Sequence, residues 1–200
     1  MQNETDTKLI AKGYLDDLKR IADLVSLDDI QNVVNVLVNA YKNDKRIFIF
    51  GNGGSAATSS HMACDIGKGT LKDVRDRNEK RFHVISLNDN IPLMTAIAND
   101  ISYDEVFAQQ LRNHLQEGDI VIGISASGNS PNVLKAFSYA NETRAVTIGL
   151  LGFMTGGKAK DLVNHSIIIK SNSYGIVEDF HMVLNHIFTA CLSNMKKNGL

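Results

Sequence analysis

The chain has 200 residues, 44% of them hydrophobic and 22% charged, an ordinary balance for a globular protein with one sizeable core. Its 21 basic and 22 acidic side chains leave a net charge of −1, which argues against a nucleic-acid binder and against a polybasic membrane surface. Two cysteines, Cys64 and Cys191, are too few for a disulfide framework or a four-cysteine zinc site. No apolar run is long enough to cross a bilayer, and the polar opening MQNETDTK shows no signal peptide, so the expected location is the cytoplasm.

The first residues read as helix. Leu18, Ile21, Ala22 and Val25 stand at i, i+3, i+4 and i+7, the spacing of one buried helix face. Ser26 and Asp29 resemble a capping box that starts a second helix over 27–42, with Ile30, Val33, Val34, Leu37 and Val38 inward. Nothing in these helices looks chemical. Residues 1–44 are therefore expected to pack against the domain or another subunit, as an oligomerisation segment ahead of a domain over 45–200.

From Arg46 the period changes. Short apolar runs at 46–51, 81–87, 119–125, 145–151 and 166–171 read as buried parallel strands. Helical patterns at 55–66, 92–98, 103–116 and 131–141 separate them, and a last helix at 177–197 closes the chain. This alternation predicts an α/β domain: a doubly wound, five-stranded parallel sheet with helices on both faces. Ligands of such sheets bind beyond the carboxyl ends of the strands. The search for a site narrows to the loops after Phe50, Leu87, Ser125 and Leu151.

Two of these loops suit a phosphate. The run Ser125-Ala126-Ser127-Gly128-Asn129-Ser130 offers three hydroxyls and a glycine, and Pro131 fits the first turn of a helix. Backbone N–H groups at a helix start, together with hydroxyl donors, make an anion site without Lys or Arg. Ser130 as a simple helix cap is the plainer reading. The run Gly51-Asn52-Gly53-Gly54-Ser55 lets a backbone approach a ligand closely. It is neither a Walker loop nor a dinucleotide fingerprint, because the Lys and the glycine spacing are wrong.

Two sets of acid–base residues follow. His61 and Asp65 are four apart on one predicted helix face, where a carboxylate and an imidazole can move protons or hold a metal. Equally, Asp65 can be a solvated residue and His61 structural. The last helix carries Glu178, Asp179, His181, Asn185 and His186. At about 100° per residue, His186 lies about 80° from Glu178, and His181 about 60° away on the other side. Either histidine can reach a site near Glu178. Either can also be packing, because Phe180, Val183, Leu184, Ile187 and Phe188 make much of this helix core.

Strand–GNGGS–helix followed by strand–SASGNS–helix resembles the sugar isomerase (SIS) domain family and, within it, the phosphoheptose isomerases. The resemblance spans nearly the whole chain. It implies an aldose–ketose isomerase converting sedoheptulose 7-phosphate to D-glycero-manno-heptose 7-phosphate, for heptose-containing glycan or lipopolysaccharide synthesis. It also implies homotetramers with sites at subunit interfaces. The family's base, a glutamate, matches Asp65, and its catalytic histidine matches His186. A substrate-touching glutamine matches Glu178. Substrate contacts fall on Asn52, Gly53, Gly54, Ser55, Asp65, Asn99, Asp100, Ser125, Ala126, Ser127 and Ser130. Some members bind one zinc per subunit through the positions of His61, Asp65, Glu178 and His186. No nucleotide cofactor is implied.

This chain departs from the family pattern in places. Asp65 for glutamate draws the carboxylate back by roughly 1.5 Å, where a base needs contact at about 2.6–3.2 Å. Glu178 for glutamine adds a negative charge, which a divalent cation would neutralise and which otherwise repels Asp65. Ala126 stands where a threonine is common. These changes bear on the particular sugar more than on the chemistry. Two alternatives are an isomerase of another phosphosugar and a non-catalytic SIS regulator of replication initiation.

Overall fold

The computed structural model describes residues 2–200, with side chains from Asp6 onward. Met1, the first residue of the expected 1–44 segment, lies outside the described residues. Two helices lead the chain: α1 (Gln2–Ala22) and α2 (Leu27–Lys42). Ser26 caps α2 as expected, its Oγ accepting the Asp29 N–H at 3.1 Å. Val25 packs against the core from the turn between the helices, because α1 has already ended, and Ala22 faces solvent.

Five strands follow: β1 (Arg46–Gly51), β2 (His83–Ser86), β3 (Ile120–Ser125), β4 (Val146–Leu151) and β5 (His165–Ile168). All pairs are parallel, in the order β2-β1-β3-β4-β5. The edge strands β2 and β5 are shorter than the apolar runs suggest, each pairing on one side only. Alternation sorts the side chains. Ile47, Ile49, Ile122 and Ile124 face one layer; Phe48, Phe50 and Val121 face the other. The first layer holds α1, α2, α3 (Gly54–Cys64) and α7 (Tyr174–Lys197). The second holds α4 (Ile91–Asp100), α5 (Ala108–His114) and α6 (Pro131–Glu142).

Two expected helices come out differently. The pattern over 103–116 divides into a short 3₁₀ turn, Tyr103–Glu105, and α5. Val106 and Phe107 between them are both fully buried, Phe107 stacking on Phe50 at 4.8 Å. The helix expected over 55–66 is α-helical only to Cys64, then widens into a π-turn, Asp65–Gly69. Gly67 and Gly69 weaken the α-helical preference there, and the Thr70 hydroxyl donates back to the Ile66 carbonyl at 2.7 Å.

The strand order locates the site. From β1 the chain moves to β2 on one side and returns to β3 on the other. The loops leaving β1 and β3 therefore diverge, and the crevice between them is where doubly wound sheets bind ligands. Among the described residues no helix is long and apolar enough to cross a membrane, and both cysteines are free.

Candidate active site

The glycine turn and the serine turn meet at that crevice. Gly53 adopts φ +55°, which lets β1 turn sharply into α3. The Asn52 and Asn132 side-chain amides exchange hydrogen bonds, each 2.9 Å, which ties the first turn to α6. The Tyr103 hydroxyl adds a third bond, to Asn52 Oδ1 at 3.0 Å. Asn88 clamps the end of β1, accepting the Gly51 N–H at 3.1 Å and donating to its carbonyl at 2.9 Å.

Between the turns lies a cavity of about 200 Å³, lined by Asn52, Ser55, Ser125, Ala126, Ser127, Ser130, Tyr174 and Glu178 over a floor of Ile124. Ser125 Oγ accepts the Gly128 N–H at 3.1 Å, and Ser127 Oγ accepts the Asn129 N–H at 3.2 Å. A hydroxyl used as an acceptor keeps its proton to donate to a ligand. Ser130 holds the N-cap position of α6 but makes no side-chain capping bond, so the plain capping role does not occupy its hydroxyl. No Lys or Arg lines this cavity. Hydroxyls and the start of α6 would have to hold an anion here.

Helices α3 and α7 run side by side in the same direction, Gly54 beside Glu178 and His61 beside His186. At the cavity end, a Cβ on Gly54 would stand 2.8 Å from Glu178 Oε1. The carboxylate thus lies on the first turn of α3, where the helix dipole favours a negative charge. Further along the seam, three groups converge on one oxygen, Asp65 Oδ2: Asn185 Nδ2 at 2.8 Å, His61 Nε2 at 3.2 Å and His186 Nε2 at 3.7 Å. The two imidazoles meet edge to face, 5.4 Å between centroids. Ligand atoms of His61, Asp65 and His186 all lie within 4.8 Å of one another, a donor set of two imidazoles and a carboxylate that suits a divalent cation. Glu178, expected as a fourth ligand, is outside this group within the chain.

The helix that left two histidines open resolves them. His181 is fully buried, its Nε2 3.3 Å from the Leu151 carbonyl, and burial pushes its pKa down to about 4. His186 is half exposed and faces Asp65. It meets Asp65 of its own chain, a point the sequence left open between one chain and a neighbouring subunit. Asn99 and Asp100 sit exposed at the end of α4, bonded to each other at 2.8 Å and outside the cavity lining. A cavity of about 410 Å³ lies elsewhere, between the start of α2 and the open edge of β5, where its lining includes Asp29, Lys160, His165 and Lys170. Asn132 and Tyr103 were not singled out from the sequence, and Asn185, named beside the acids and histidines of the last helix, carried no role there. Amides carry no motif; only the pairing of Asn132 with the expected Asn52 would have pointed to one of them.

The family model for the SIS domain matches residues 13–152. The chain belongs to the SIS domain family. Its relatives are phosphoheptose isomerases. That of Clostridium acetobutylicum is 38% identical over 84% of this chain and 83% of its own length. That of Helicobacter pylori is 39% identical over 84% and 86%. Among solved structures, phosphoheptose isomerase from Neisseria gonorrhoeae superposes with a TM-score of 0.84 at 26% identity, covering 94% of this chain and 98% of that one.

Proposed function

We propose that this SIS domain is an aldose–ketose isomerase converting sedoheptulose 7-phosphate to D-glycero-manno-heptose 7-phosphate. The reading is carried by the convergence of Asn185, His61 and His186 on Asp65, along a helix seam that begins at a hydroxyl-lined anion crevice. The phosphate binds at Ser125, Ser127 and Ser130. Asp65 takes a proton from C1 of the open-chain ketose and returns it to C2. The C–H electron pair becomes the double bond of an enediolate while the C2 carbonyl pair moves onto its oxygen. His186 carries the hydroxyl proton from O1 to O2, so atoms and electrons balance with no external oxidant.

His61, Asp65 and His186 would hold a zinc ion, with Glu178 the further ligand implied by the resemblance. Such an ion, when bound, polarises the substrate oxygens. The protein's own residues still bind the phosphate, orient the carbon chain and move both protons.

The assembly is part of this reading. Glu178 and His186 are eight residues apart on α7, about 12 Å along the axis. A ligand gripped at the serine turn must be long or must meet the acid–base cluster of a neighbouring copy. Leu9, Ile10 and Leu15 on α1 are 64%, 73% and 56% exposed, apolar side chains on several sides of the helix that burial between subunits would cover. We therefore propose a cytoplasmic homotetramer, with residues 1–44 in the interfaces. The test is incubation with sedoheptulose 7-phosphate, with and without zinc, followed by chromatography of the isomers. Appearance of the aldose supports the reading; turnover of a five- or six-carbon sugar phosphate alone would replace the substrate.

A further inference from the structure

Asp65 sits in a poor place for a carboxylate that must be aimed. It ends α3 and opens the π-turn, where Gly67 and Gly69 offer no side chains to brace it. Two of its three partners are soft: the His61 and His186 side chains are 47% and 57% exposed. The third is not. Asn185 is completely buried on α7, and its Nδ2 donates to Asp65 Oδ2 at 2.8 Å. A carboxylate only accepts, so the amide nitrogen must face it.

The cost of this arrangement is visible. Asn185 occupies the buried face of α7, between Leu184 and Phe188, where an aliphatic side chain would pack without penalty. Its Oδ1 has no hydrogen-bond partner among the described residues, and a buried polar atom left so is destabilising. The amide is useful only at its other end. It pins Oδ2, while Oδ1 of Asp65 takes no hydrogen bond from the described residues.

We propose that Asn185 is a positioning residue that fixes the rotamer of Asp65 and presents Oδ1 as the atom that receives the substrate proton. The proposal builds on the isomerase reading above. A base displaced by about 1 Å can lose roughly 100-fold in rate, so an unanchored aspartate on a π-turn would be a weak one.

The test replaces Asn185 with leucine, of similar size and without hydrogen bonds. In Asn185→Leu, kcat for sedoheptulose 7-phosphate should fall about 10–100-fold with KM within about twofold. In an Asp65→Asn background, the same substitution should cost less than about threefold, because no base remains to be aimed. Wild-type kcat in Asn185→Leu, or an equal loss in both backgrounds, overturns the proposal. Asn185→Ala gives the same comparison if the leucine does not fold. Crystal structures of the wild type and Asn185→Leu need no turnover: the Asp65 carboxylate should leave its place beside His61, and a carboxylate unmoved in the variant refutes the anchor. Absence of turnover by the wild type, with the carboxylate displaced in the variant, would refute the isomerase reading and leave the anchor standing.

Discussion

The serine turn and the α3–α7 seam do different work by different means. The serine turn gathers three hydroxyls within six residues at one strand end, and its internal bonds, Gly128 to Ser125 and Asn129 to Ser127, are local. The seam brings together Asp65 and Asn185, which are 120 positions apart in the chain. A local turn can be pre-formed by backbone geometry alone, and that suits binding. Chemistry needs groups at fixed distances from one atom, and only packed helices hold them so.

That contrast predicts a split in kinetics. Asp65→Ala should lower kcat by roughly 10²–10⁴-fold, the range for loss of a general base, with KM little changed in steady-state assays. A variant of normal kcat would move the chemistry away from the seam. Ser127→Ala removes a hydroxyl from the cavity and should raise KM about tenfold or more, as for a lost hydrogen bond to a charged group. Its kcat should stay within a few-fold. Were the two variants to alter the same parameter, binding and chemistry would not be divided between the two regions.

The seam's buried side also has a pH signature. His181 is held neutral by burial, with its pKa near 4 against 6.5 in the unfolded chain. The unfolded state therefore takes up the proton first as pH falls. The stability associated with neutral His181 is complete above about pH 6.5 and is lost towards pH 4, an effect of roughly 3 kcal/mol. Urea titrations at several pH values should show this slope in the wild type and a flatter one in His181→Leu. Equal slopes would mean the imidazole is solvated.

The smallest effect belongs to α1. The Tyr14 hydroxyl donates to Asp179 Oδ2 at 2.6 Å, next to Glu178, and this bond holds the tyrosine pKa above its usual value. Both side chains are exposed, so Tyr14→Phe should cost under about 1 kcal/mol in thermal unfolding. A larger loss would show α1 to be a part of the site region and not only a covering helix.

Much of this was readable in the residues alone. Short apolar runs mark the parallel strands, most clearly β1, β3 and β4, because a strand buried on both faces leaves no alternation to obscure it, whereas the edge strands β2 and β5 are partly exposed. GNGGS and SASGNS mark the crevice because both the turn chemistry and the binding chemistry are written in adjacent residues. Angular position alone did not choose between His181 and His186, since both could reach Glu178; the family resemblance pointed to His186, and burial against Leu151 takes His181 out of the site. Nor could periodicity show that Asp65 opens a π-turn, that Glu178 lies against the first turn of α3 away from the histidine cluster, or that a buried amide reaches Asp65. Spacing along a helix reports direction around its axis. How far a side chain stands from a residue on another helix depends on how the layers pack.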